Sequence, residues 1–132
     1  MESSLVFLAG WLYVNFVEYV WHRWVLHSGR NRVHNAHHHA FFTGDYDARP
    51  LLNIWAVVAG VLHIVAASFY SRELAITVGL SLFSYLGVLE AIHALQHRFP
   101  ESRLARWHIE HHRHPRKRFN IFLPIWDSIL GT

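Results

Sequence analysis

The stretch WHRWVLHSGRNRVHNAHHH, residues 21–39, follows an apolar run and carries two groups of regularly spaced histidines. A second apolar run is followed in the same way by HALQHRFPESRLARWHIEHH, residues 93–112. Each stretch contains a histidine pair and then a His-x2-His-His cluster. The ten histidines are His22 and His27, His34, His37 and His38, His93 and His97, and His108, His111 and His112. This repeated pattern predicts a metal site built from two similar halves, since imidazole is a common ligand for transition metals.

Helical spacing indicates how these rings could meet. Residues three and four apart share one face of a helix, so His93 and His97 point the same way, and the three rings of each His-x2-His-His cluster can converge. His22 and His27 are five residues apart, which separates them by about 140° on an ideal helix. We therefore expect the helix to end or distort near residues 24–26.

The number of histidines favours two metal ions. Ten rings supply about five or six ligands to each of two ions, which approaches octahedral geometry and favours iron over structural zinc, because structural zinc takes four ligands. An all-imidazole shell brings no negative charge, so carboxylates are expected to hold the outer ring N–H groups. The candidates for this role are Glu18, Glu90, Glu110 and Asp127.

The apolar runs predict a membrane protein. Residues 5–21, 51–70 and 74–92 each approach the roughly 20 residues that a helix needs to cross a bilayer. All twelve Lys and Arg residues except Arg72 lie between the first two runs or after the third, and this bias places those parts in the cytosol. We predict an all-α integral-membrane bundle of three or four transmembrane helices with a cytosolic histidine-rich cap, forming one domain over residues 1–132. The N-terminus would lie on the opposite, non-cytosolic side of the membrane, which is expected to be a bacterial inner membrane or that of the endoplasmic reticulum.

Composition excludes several other functions. The chain has no cysteine, which rules out thiolate metal sites, thiol-attached haem and disulfides. Its net charge of +3 is explained by membrane topology, so no nucleic-acid partner is expected.

His39 and His114 are interpreted as solvated neighbours of the clusters, and His63 as a hydrogen-bonded residue of helix packing. The apolar segment 119–130 is too short to cross a membrane, and we expect it to lie at the interface or to pack back over the site. The aromatic residues at 19, 21 and 24 fit an interfacial belt.

The four histidine groups resemble the pattern of the fatty acid hydroxylase and sterol desaturase superfamily. Residues 34–50, with Asp45, Asp47 and Arg49 after the cluster, resemble the fatty acid 2-hydroxylase branch. Residues 120–132, with WD at 126–127 and GT at 131–132, are similar to the C-terminal signature of the superfamily. The resemblance covers nearly the whole chain.

The resemblance implies a non-haem di-iron monooxygenase that uses O2 to hydroxylate, or desaturate, a C–H bond of a fatty acyl or related lipid. Zinc can replace iron in purified proteins of this kind. The lipid would enter from the bilayer, and electrons would come from a separate donor similar to cytochrome b5, ferredoxin or rubredoxin. Three spans make a thin wall around such a site, which is consistent with a homodimer.

Two other functions fit the same residues. A carotenoid ring hydroxylase of the same superfamily also uses His-x4-His and His-x2-His-His groups, although its third group is usually spaced more widely than His93 and His97. A non-catalytic metal-binding membrane protein could hold zinc or nickel on a histidine-rich cytosolic surface. Such surfaces tend to be irregular, whereas the spacing in this chain is regular.

Overall fold

The computed structural model describes residues 2–44 and 54–132, and in these residues the chain is helical without strands. Asp45, Asp47 and Arg49, noted in the sequence, lie outside the described residues, as does the beginning of the second apolar run. The helices are α1 (Glu2–Val20), a π-helix (Trp21–Leu26), α2 (Arg32–Phe42), α3 (Ile54–Ser68), α4 (Arg72–Arg98), α5 (Arg106–Arg113) and α6 (Ile125–Leu130). The expectation of an all-α fold is confirmed for the described residues.

Two helices are long and apolar enough to cross a membrane. They cover Ser3–Leu26, which includes α1 and the π-helix, and Arg72–Arg98, which is α4. Only 17% and 28% of the residues in their most apolar windows are buried, whereas the core helix of a soluble protein would be mostly buried. The helix α3 has 15 described residues, about 22 Å, which is less than the roughly 30 Å of hydrocarbon. The third span therefore stays a prediction.

The chain divides into two compact units, and the first comprises residues 1–14 and 50–90. Here small and polar side chains allow helices to approach closely, as is common in membrane helices. A Cβ atom on Gly10 would lie 2.2 Å from Ser81 Oγ, and that hydroxyl donates to the Phe7 carbonyl at 2.8 Å. His63 lies 3.1 Å from the Tyr13 hydroxyl and also bonds the Ala59 carbonyl. Its interpretation as a packing histidine is confirmed.

The second unit comprises residues 15–49 and 91–132 and contains all ten histidines of the four groups. Its buried residues are largely polar, which is unusual for so small a core and indicates a site rather than simple packing. Residues 119–121 are buried in this unit, and the Phe119 ring lies 5.7 Å from the rings of both His27 and His111. Of the two expectations for residues 119–130, packing back over the site is therefore confirmed for residues 119–121.

Candidate metal centre

The π-helix brings His22 and His27 together. In this segment the His27 N–H donates to the His22 carbonyl at 3.2 Å, a bond that spans five residues instead of the four of an α-helix. The wider turn places residues five apart on nearly the same face, and the two rings stack with centroids 5.1 Å apart. The predicted distortion between the two histidines is therefore confirmed. Single π-turns of this kind occur frequently at functional sites.

Two sets of histidine nitrogens converge, and in each set the donor atoms all lie within 4.8 Å of one another. The first set consists of His22, His27, His34, His38 and His111. The second set consists of His37, His93, His97 and His108, all of them buried. The structure thus brings nine of the ten predicted ligands into two groups, one of five and one of four.

His112 borders the second set. Its Nε2 atom lies 3.0 Å from His108 Nε2, and its ring stacks on that of His38 at 4.3 Å. His38 belongs to the first set, so this stacked pair lies where the two sets adjoin. His112 is the counterpart of His38 in the repeated pattern, because each is the last histidine of its His-x2-His-His cluster.

Each His-x2-His-His cluster is divided between the two sets, contrary to the expectation that its three rings converge on one side. On α2, His34 and His38 join the first set, whereas His37 joins the second. On α5, His111 joins the first set and His108 the second. The reason is geometric. Relative to residue i of a helix, residue i+4 lies about 40° around the axis in one direction and residue i+3 lies about 60° in the other direction. A helix that lies between two sets can therefore contribute side chains to both.

The arrangement of ring nitrogens suits metal ions. His27 Nε2 lies 3.0 Å from the Nε2 atoms of both His34 and His111, and His108 Nε2 lies 2.9 Å from that of His97. A neutral imidazole carries one N–H, so it cannot satisfy several neighbouring lone pairs at once. Among the described residues, both ring nitrogens of His38 and the Nε2 of His93 are buried without a hydrogen-bond partner. A cation bound between such nitrogens would satisfy them.

Backbone carbonyl groups fix the orientation of two rings in the first set. His22 Nδ1 donates a short hydrogen bond to the Phe119 carbonyl, and His111 Nδ1 donates to the Lys117 carbonyl at 2.6 Å. With the proton held on Nδ1, Nε2 keeps its lone pair for a metal. These two carbonyls were missed by the sequence reasoning, because a backbone oxygen leaves no signal in the residue types.

Two of the four predicted carboxylates hold the segment that carries the Phe119 carbonyl. Glu18 accepts the Ile121 N–H at 2.6 Å, and Asp127 accepts the N–H groups of Phe119 and Asn120 at 2.9 and 2.7 Å. The sequence predicts that Asp127 holds an imidazole N–H, but its two oxygens accept from backbone amides and from the Thr132 hydroxyl. For Glu18 the role beside an imidazole stays a prediction.

The other two carboxylates lie differently. Glu110 contacts His114 at 3.3 Å and Arg113 at 4.0 Å, and neither partner belongs to the two sets. Glu90 is half-buried on α4, three residues before His93. Their expected role beside the ligands stays a prediction.

Burial keeps the clustered rings neutral. It lowers the pKa of His27 to about 4, and it lowers the pKa values of His34 and His111 to about 3, with repulsion from neighbouring histidines adding to the effect. The pKa values of His108 and His112 also lie well below 6.5 for these reasons. Metals bind neutral imidazole, so the rings retain their ligand form into acidic solution.

His39 and His114 are exposed and lie outside the two sets, as expected.

Tyr19 is fully buried, so its interpretation as an interfacial belt residue is wrong. Its ring packs edge-on against Phe119 at 5.7 Å, and its hydroxyl lies 3.1 Å from Thr132 Oγ1. The C-terminal segment covers Tyr19, and this tertiary contact could not be predicted from helical periodicity.

The family comparison agrees with this geometry. Residues 7–132, nearly the whole chain, match the family model described as fatty acid hydroxylase. The match spans most of α1, both histidine-rich regions and the C-terminal segment. Comparisons with curated proteins and with solved structures found no match.

Proposed function

Because the chain belongs to the fatty acid hydroxylase family, we propose that it is an O2-dependent oxygenase that hydroxylates or desaturates a lipid, using two iron ions held by histidines. The observation that carries this proposal is the pair of adjoining histidine sets, each with donor atoms within 4.8 Å. Two metal ions bound close together can act jointly on one small molecule.

The residues fit a pair of metal ions. His22, His27, His34, His38 and His111 would hold one ion, and His37, His93, His97 and His108 would hold the other. His112 would complete the second set as a fifth ligand, since its Nε2 atom lies 3.0 Å from His108 Nε2. Sets that consist only of imidazole nitrogens exclude magnesium and calcium, which prefer oxygen ligands.

The ions, once bound, would supply the oxygen activation that no side chain provides. The chain itself would orient the ligands and exclude water. Phe119 covers the first set, and Phe41 lies against the second, with its ring 4.6 Å from that of His112. Apolar side chains at these positions would limit the access of water and so protect a reactive site from side reactions.

A lipid substrate is supported by the surface of the chain. Large apolar side chains are exposed along both candidate spans, for example Leu5 and Leu8 on α1 and Ile76 and Leu80 on α4. Exposed apolar helices of this length suit hydrocarbon rather than water. We propose that the substrate reaches the metal pair from the bilayer, with the histidines on the cytosolic side and electrons delivered by a separate carrier.

The test is a turnover experiment with labelled oxygen. The protein is loaded with iron in nanodiscs made from a lipid extract, supplied with a ferredoxin reducing system and isotopically labelled O2, and the lipids are analysed by mass spectrometry. We expect labelled hydroxyl lipids, or new double bonds, from the wild type and from His39→Ala, whose altered histidine is exposed and outside both sets. His38→Ala should give neither product.

Iron-loaded, reduced protein that modifies no lipid would contradict the proposal. A carotenoid-producing host offers a parallel test of the substrate class. Hydroxylated pigments in that host would move the assignment to the carotenoid ring hydroxylases.

A further inference from the structure

The C-terminal motifs, WD at 126–127 and GT at 131–132, contain no histidine, but they include one buried carboxylate, that of Asp127. The Asp127 side chain is only 2% exposed. Three donors point at its two oxygens: Asn120 N–H at 2.7 Å, Phe119 N–H at 2.9 Å and Thr132 Oγ1 at 2.9 Å. A buried group of this kind needs such partners, and three charge-assisted bonds hold it in one orientation.

One peptide group joins this carboxylate to His22. The Phe119 carbonyl and the Asn120 N–H are the two ends of the same peptide. The carbonyl end accepts the His22 Nδ1 proton, and the N–H end donates to Asp127 Oδ2. A negative charge at the N–H end polarises the peptide and makes its carbonyl a stronger acceptor, because hydrogen bonds in series strengthen one another.

We propose that Asp127 is a positioning residue of the first histidine set, acting on His22 through the Phe119–Asn120 peptide and so raising the affinity of that set for metal. The inference rests on the proposed function in so far as the set binds a metal ion. Carboxylates commonly hold the outer N–H of a metal-bound histidine directly, which fixes the ring and increases its basicity. In this chain one peptide stands between the two groups.

The final residues explain how Asp127 is held. Gly131 has φ +68°, a left-handed conformation that suits glycine and ends α6. The chain then turns back, so that the Thr132 N–H donates to the Asp127 carbonyl at 2.9 Å while its hydroxyl bonds the carboxylate. Thr132 therefore supports Asp127 without touching the peptide that reaches His22, and it provides a matched control.

The test compares Asp127→Asn with Thr132→Val. Asn has the shape of Asp but no charge, whereas Thr132→Val leaves the charge and removes one bond to it. Zinc affinity is measured by competition with a chromophoric chelator, in a His108→Ala background that leaves the second set incomplete. We expect D127N to weaken zinc binding by about 10- to 100-fold, the usual effect of removing such a partner. T132V should leave it within about twofold, even if both variants lose similar thermal stability.

A second measurement needs no variant and no metal. Nitrogen-15 NMR of the metal-free wild type reports which ring nitrogen of His22 carries the proton, and we expect Nδ1. A proton on Nε2 would overturn the inference, and so would D127N binding zinc as tightly as the wild type, or T132V weakening binding as much as D127N. If the wild type bound no metal, the proposed function would fail, while the NMR result would still decide whether the peptide link exists.

Discussion

Adjacent histidines of one motif should affect different metal ions. His37 and His38 are neighbours in sequence, but His37 belongs to the second set and His38 to the first. On α5, His108 likewise belongs to the second set and His111 to the first. Four single substitutions to alanine should therefore fall into two classes, with His38 and His111 in one and His37 and His108 in the other.

The size of the effect follows from the number of ligands. Structural metal sites in small domains bind zinc with about 10–16 kcal/mol. Removing one ligand from a set of five should therefore cost about 2–3 kcal/mol of binding free energy, which raises the Kd of that ion roughly 30- to 200-fold. The other ion stays bound. Truncation also leaves a cavity, but that cost is similar for all four buried or half-buried rings.

Cobalt(II) titration followed by visible absorption provides the assay, since the remaining ion reports its own surroundings. H38A and H111A should retain the same cobalt spectrum, and H37A and H108A should share a different one. Spectra that instead paired H37A with H38A and H108A with H111A would refute the division into two sets. That result would mean that each His-x2-His-His cluster binds a single ion.

Three further predictions concern stability. Asn31→Ala should cost about 1 kcal/mol, because the Asn31 side chain caps α2 by accepting the His34 N–H at 2.9 Å, and chemical denaturation in detergent would measure the loss. Gly10→Ala should cost about 1–3 kcal/mol through the clash with Ser81 Oγ, and Ser81→Gly in the same chain should restore part of the lost thermal stability. The metal-free protein should lose stability as pH falls from about 6.5 towards 4, because the unfolded histidines take up protons while the buried ones, whose pKa values are lowered, do not. A melting temperature that does not change over this range would contradict the third prediction.

The histidine spacing predicts a metal site because metal ligands must be particular side chains at particular helical intervals, and the structure brings nine of these rings into two sets. The His22–His27 spacing even predicted a local distortion, and the π-helix supplies it. Helical periodicity could not predict that the clusters are divided between two sets. That division depends on where α2 and α5 lie relative to the other ligands, which is decided by tertiary packing.

The surroundings of the two histidine sets were less predictable. Glu18 and Asp127 were two of the four candidate carboxylates, and both bond backbone amides of residues 119–121. The carbonyls that do hold His22 and His111 belong to Phe119 and Lys117. Every residue has a carbonyl, so only the folded path of the chain shows which of them is used.

The proposed function requires that one chain hold two iron ions in adjoining histidine sets. Metal analysis and Mössbauer spectroscopy of protein purified from iron-supplemented cells in mild detergent test it most directly. We expect two irons per chain in coupled, nitrogen-rich sites, or the same result after iron reconstitution of a zinc-loaded preparation. Fewer than two metal ions of any kind per chain, after reconstitution, would contradict the proposed function.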